Sequence, residues 1–202
     1  MNMRKTFLFV LFPLLVAGCT TLPPWKPVPT GQSVVYGQIQ DSRRALAFLA
    51  FAGDPGIVAI TVDNVFGGFN PRYGMIADEP ARASIREAIA KFQDWSKLAE
   101  ANQVEITREI STVTLPQMFR RGDGWEAEGQ RDVTFIFNSR LGQSADPRIT
   151  LVMRTSSFFY GVDQVALNDQ QAADFSKYME NDATDAGYQQ AKKKQDTLDM
   201  FK

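Results

Sequence analysis

One thiol, no imidazole and a scatter of carboxylates set the chemistry open to this chain. Cys19 is the only cysteine and histidine is absent, so neither a Ser-His-Asp nor a Cys-His nucleophile pair can be assembled. The same two facts exclude zinc sites with imidazole ligands and any intramolecular disulfide. Catalysis would have to run on carboxylates, Lys, Ser or Tyr. A glycosidase needs two acids at a set separation, and the spacing of pairs such as Asp63 with Asp163 ranks none of them above another. No nucleophile elbow, phosphate loop or dinucleotide fingerprint occurs. The expectation is a noncatalytic protein with no cofactor and no metal.

Cys19 stands at the end of an uncharged run. "MNMRK" is a short basic start and "TFLFVLFPLLVA", Thr6 to Ala17, is too short to cross a bilayer of about 30 Å as a helix. It reads as an export signal. Leu15-Val16-Ala17-Gly18-Cys19 resembles the lipobox of bacterial lipoproteins, with Val16 in place of the commoner leucine. The resemblance covers the export segment alone and implies recognition of residues 15–18 by a signal peptidase, cleavage after Gly18 and diacylation of the Cys19 sulfur. One fourteen-carbon chain, at about 0.8 kcal/mol per buried methylene, anchors only reversibly, so two or three chains are what make attachment lasting. Thr20 replaces the aspartate that commonly signals inner-membrane retention, which is similar to the pattern of outer-membrane members. With residues 1–18 removed, Arg4 and Lys5 leave the 22 basic residues, and the remaining 20 against 23 acidic give −3. That balance carries no electrostatic footprint for nucleic acid.

The elements that carry the rest follow from pattern. Pro23, Pro24, Pro27 and Pro29 make residues 19–32 an extended tether, unable to join a helix or a central strand. At about 3.1 Å per residue it holds the body some 30 to 40 Å from the lipid. Trp25 either sits in the headgroup layer or packs on the domain. From Ser33 the chain, 44% apolar and 22% charged, reads as a globular α+β domain. "SVVYGQI" and "IVAITVDNVF" are strands, whereas "RALAFLAFA" fits a strand or a short helix. Asp78 caps a helix that runs to about Asn102 with Ala81, Ile85, Ala88, Ile89, Phe92 and Ala99 on its buried stripe; Glu87 and Lys91 pair across one turn. "VEITREISTVTL" changes parity near Ser111, which predicts a bulge. "DVTFIFNS" and "RITLVMRTS" alternate as strands, and Asn168 with Gln171 has capping-box spacing before Ala172, Phe175 and Met179.

Two halves share an order of parts. Asp54, Pro55, Ile57 and Phe66 match Asp146, Pro147, Ile149 and Phe158 at an offset of 92, and Tyr73-Gly74 answers Tyr160-Gly161. The fold expected is an antiparallel sheet of two similar strand-strand-strand-helix halves, 33–102 and 103–186, with the helices on one face. Residues 187–202 read as a polar tail, frayed or disordered, and Lys192, Lys193 and Lys194 as a solvated charge run.

Candidate contacts lie between strands. "RRGDGWEAEGQRD", residues 120–132, reads as a polar loop. Its Asp123, Glu126, Glu128 and Asp132 are oxygen donors suited to Ca²⁺ but not in the order of a calcium loop, and solvated carboxylates are the better reading. Arg121-Gly122-Asp123 is similar to the tripeptide of integrin-binding loops, and Gly-Asp-Gly is equally what a turn requires. Trp125, on that loop, is either a partner contact or folded back on the sheet. Phe158, Phe159 and Tyr160, with Phe66 and Phe69 opposite, either line a groove or cover strand ends. The function these features point to is a membrane-anchored envelope lipoprotein, joined to the bilayer by acylated Cys19. It sits in the outer membrane, on the periplasmic face in preference to the cell surface, and binds or scaffolds an envelope protein or cell-wall component. The alternatives are a periplasmic carrier of a lipid or glycan and, more weakly, a carboxylate-based hydrolase. A carrier calls for an apolar cavity of at least about 300 Å³, a binding module for a flat apolar patch, and a hydrolase for two converging acids.

Overall fold

The computed structural model describes residues 27–39, 42–51, 54–64, 73–122, 124–141, 147–155 and 164–201. Residues 15–19, Trp25, Phe66, Phe69, Asp163 and the trio Phe158, Phe159 and Tyr160 lie outside the described residues, as does the side chain of Asp63. The elements are β1 (Pro27–Ile39), β2 (Ser42–Phe51), β3 (Asp54–Asn64), β4 (Tyr73–Ala77), α1 (Glu79–Asn102), β5 (Ile106–Arg121), β6 (Gly124–Ser139), β7 (Ile149–Thr155), β8 (Gln164–Leu167), α2 (Asp169–Tyr178) and α3 (Asn181–Asp199). The eight strands form one antiparallel sheet in chain order, β1 through β8, so the architecture is α+β. The helices α1 and α2 each follow a run of four strands rather than the expected three, and α3 follows α2.

Caps and stripes fix the helices. Asp78 Oδ1 accepts from the Ala81 amide at 3.0 Å, and Pro80 sits in the first turn, where its missing N–H costs nothing. Asn168 and Gln171 close a full capping box, at 2.9 Å from the Gln171 amide to Asn168 Oδ1 and 2.8 Å from the Asn168 amide to Gln171 Oε1. Ile85, Ile89 and Phe92 of α1 and Ala172, Phe175 and Met179 from α2 and its cap are buried in one core with Leu46, Phe48, Ile60, Val133, Phe135, Phe137 and Leu151 of the sheet. Ala191 of α3 packs on Val28 and Ala50. Ala50 shares the parity of Leu46 and Phe48, so all three helices lie on the same face of the sheet.

The opposite face carries a second, smaller cluster: Leu49, Phe51, Ala59, Ile76, Met118 and Trp125. This explains "RALAFLAFA". Leu46 and Phe48 point to the helices while Leu49 and Phe51 point away, and a strand buried on both sides loses the alternation that identifies strands.

Three boundaries differ from the sequence reading. The sheet begins at Pro27, inside the expected tether, because β1 is the sheet's first strand and an edge tolerates proline. The stretch 120–132 is not a polar loop: β5 and β6 are each 16 residues long and stay paired as far as Arg121 with Gly124, while Asp123 lies outside the described residues. The expected bulge is present, as a register shift between Glu109 and Ser111. The expected tail is the helix α3, which lies on β1. A Cβ at Gly187 would stand 3.0 Å from Thr30 Cγ2 and 3.3 Å from Gln32 Oε1, so glycine is what permits this approach. Lastly, the offset of 92 does not keep its residues on one face. It sets Ile57 of the far cluster against Ile149 of the main core, whereas an offset of 91 matches Val58, Ile60 and Val62 with Ile149, Leu151 and Met153, all helix-facing.

Candidate functional site

The residues singled out on the chain do not meet at one place. Trp125 is 6% exposed and lies in the far-face cluster with Met118 and Leu49. It is opposite Arg120 in the hairpin and folded on the sheet. The carboxylates around it are spread along β6 and engaged locally: Glu126 with Arg121 Nη1 at 3.4 Å, and Asp132 accepting from Thr114 Oγ1 at 2.6 Å. Among the described residues no group of three His, Cys, Asp or Glu side chains gathers to hold a metal. Glu87 and Lys91 do not pair as expected; Lys91 Nζ reaches the Ile110 carbonyl at 3.5 Å and stands 5.0 Å from the centre of the Trp95 ring.

Trp95 organises the feature that the sequence did not disclose. It lies on the flank of α1, three residues beyond buried Phe92, and its indole meets Phe137 edge-on at 5.8 Å and 89°. Phe92 stacks obliquely on the same Phe137 at 5.9 Å. Arg108, from β5, places its guanidinium carbon 5.5 Å from the Trp95 ring centre. Two cations therefore address one indole, each attracted by the ring's quadrupole.

The end of α1 supplies the opposite wall. Gln103 takes the left-handed conformation, φ 53° and ψ 44°. The Gln103 amide donates to the Glu100 carbonyl at 3.4 Å and the Val104 amide to the Ala99 carbonyl at 3.1 Å, the paired bonds of a Schellman stop. The chain is thereby turned back so that Val104 and Ile106 come up beside Leu98, and Ser139 Oγ fixes the return by donating to the Val104 carbonyl at 2.7 Å. Between these walls is an open cleft of about 310 Å³, floored by Ala99 and Phe137 and walled by Trp95, Leu98, Val104 and Ile106; Asn102 and Arg108 supply its polar side chains.

Three of the seven exposed large apolar side chains among the described residues belong to this cleft. Leu98 is 60% exposed, and Val104 and Ile106 are exposed beside it. A solvated leucine on its own means little, but three apolar residues around a concave, aromatic floor form a surface suited to binding. Nothing in the cleft provides a nucleophile or a pair of acids; what it can do is hold an apolar or aromatic group, with positive charge close by. The signal for it was present but weak: Trp95 and Leu98 fall off the buried stripe of α1, and Val104 and Ile106 share the parity of core residue Ile110 while staying exposed. Comparison of the chain with models of protein families, with curated proteins and with solved structures finds no match.

Proposed function

We propose that this chain is a noncatalytic lipoprotein of a bacterial envelope, held in the outer membrane by acyl chains on Cys19, whose α+β body binds or scaffolds another envelope component through the Trp95 cleft. The observation that carries the binding half is the exposure of Leu98, Val104 and Ile106 around one aromatic-floored depression. A cleft open along its length suits the side chains of a protein or cell-wall partner, which bring apolar anchors and a polar rim. The anchoring half rests on Leu15-Val16-Ala17-Gly18-Cys19 at the end of an apolar run. We also infer that the body descends from a duplicated four-strand-and-helix unit. The two runs end in N-caps of the same backbone geometry, Asp78 at φ −78° and ψ 179° and Asn168 at φ −78° and ψ 177°, and the faces of β3 and β7 agree at an offset of 91.

A photo-crosslinking residue at position 98, in cells making the full chain, tests the partner. A single adduct of defined mass, lost on Ile106→Asp, is the expected result; crosslinks no stronger than those from exposed Glu100 would defeat it. A small-ligand carrier is the second reading, favoured by a volume at the lower end of ligand pockets. Native mass spectrometry separates the two, because a carrier leaves the cell with a lipid- or glycan-sized molecule bound and a partner-binding module does not.

A further inference from the structure

The last turns of α3 lie beside the place where the chain leaves the sheet toward Cys19. Gln32 Nε2 donates to the Ala183 carbonyl at 3.4 Å, Thr30 packs under Gly187, and Val28 packs on Ala191. Stepping back along β1 from Gln32 to Val28 thus means stepping forward along α3 from Ala183 to Ala191, and the two run antiparallel. Beyond Ala191 the helix continues to Asp199, and the ten residues to Phe201 carry it about 15 Å further. Eight peptide steps separate Pro27 from Cys19, so Cys19 stays within about 29 Å of Pro27 by any path. The far end of α3 therefore lies on the side of the body where β1 begins, within reach of a bilayer that holds Cys19.

The composition of that helix end is suited to a lipid surface. Lys192, Lys193 and Lys194 are exposed, with Asp196 and Asp199 the acids nearby. Leu198, Met200 and Phe201 are 50%, 76% and 84% exposed, the last two more than any other large apolar side chain described. Gln189, Lys192, Lys193, Asp196, Thr197 and Met200 border a shallow depression of about 290 Å³, room enough for a polar headgroup. Cationic side chains next to exposed apolar ones, held close to a membrane by an acyl anchor, are the components of a two-signal attachment.

We propose that residues 192–201 form a second membrane contact, which lays the anchored body against anionic headgroups of the bilayer that holds Cys19. The inference rests on the lipoprotein reading, and the experiment separates the two. The full acylated chain carrying Thr197→Cys offers one free thiol for an environment-sensitive fluorophore, since acylation occupies Cys19. It is placed in vesicles of phosphatidylethanolamine with one quarter phosphatidylglycerol, and in vesicles of phosphatidylcholine alone. The expected result is a blue-shifted emission, quenched by nitroxide lipids on the order of tenfold more strongly in the anionic vesicles. K192Q/K193Q/K194Q should abolish the difference with an unchanged circular dichroism spectrum. Emission as in water in both vesicles, with acylated Cys19 confirmed by intact mass, overturns the contact and leaves the anchor standing. A blue shift that follows protein density and not lipid charge overturns it in favour of a second copy. Two labels per chain reveal an unmodified Cys19 and remove the lipoprotein reading together with the inference.

Discussion

Arg82 is the residue on which the joint between helices turns. It is 3% exposed, and its Nη1 donates to the Met179 carbonyl at 3.3 Å, Asn181 Oδ1 at 3.1 Å and Thr184 Oγ1 at 2.9 Å. Arg86 Nη1 donates to the same Met179 carbonyl. Two guanidinium groups from α1 thus satisfy the carbonyl end of α2, where the helix dipole is negative, and hold the start of α3. Burial first, and the charge of Arg86 second, lower the Arg82 pKa from its ordinary value, against smaller raising contributions from Glu79, Asp185 and Asp78. The arrangement costs desolvation and returns hydrogen bonds, and magnitudes decide the sign. Arg82→Met keeps the apolar bulk and leaves Met179 to Arg86, so the loss falls on Asn181 and Thr184 and should be about 2 kcal/mol. In urea titration this is read directly; in a thermal scan it is a fall of about 4–8 °C for a chain of this length. A neutral or stabilising result would mean that the burial cost outweighs the bonds, as happens for some buried charges.

Elements were legible where a local rule acts alone. Asp78, Pro80, Asn168 and Gln171 declared both helix starts, and the parity change at Ser111 declared the bulge, because caps and pleats depend on a few adjacent residues. Tertiary placement hid the rest. Gly122-Asp123 gave the turn but not that β5 and β6 run on either side of it through charged residues, since cross-strand pairs such as Thr114 with Asp132 stabilise a polar strand. The polar α3 became a docked helix through one glycine over Thr30. The Trp95 cleft was only weakly signalled because it depends on the Schellman stop at Gln103, a conformation usually announced by glycine. That exception yields a prediction for the element. Gln103 bears the left-handed conformation with a Cβ, partly offset by its own Nε2 donating to the Glu100 carbonyl at 2.7 Å. Gln103→Gly should therefore raise stability by about 1 kcal/mol without moving Val104 or Ile106. A loss of stability, or of crosslinking at position 98, would show that the side chain and not the backbone sets the cleft.

At the scale of the whole molecule, one sheet carries its three helices on one side and buries a smaller apolar cluster, with Met118 and Trp125 of β5 and β6, on the other, so the charged groups described are left almost entirely outside. Among the described residues the buried exception is Arg82. The chain contains no histidine, so no side chain with an ordinary pKa between 5 and 8 exists to couple folding to protons. For Arg82 the sign is fixed by direction: its folded pKa lies below the unfolded one, so in the strongly alkaline window between them the unfolded chain holds more protons and stability rises with pH. At neutral pH both states keep that proton and the slope from this group vanishes. The thermal midpoint should hence move by less than about 2 °C between pH 6.0 and 8.5, where a single buried imidazole would move it by several degrees. Scanning calorimetry at constant ionic strength is the measurement, because salt acts on the exposed lysines of α3 and would imitate a pH effect. Under the function proposed above, so flat a profile would keep the Trp95 cleft unchanged over swings in external acidity. A midpoint that fell by more than about 5 °C across this range would require a titrating group placed in the interior, and with it a different account of how this sheet is filled.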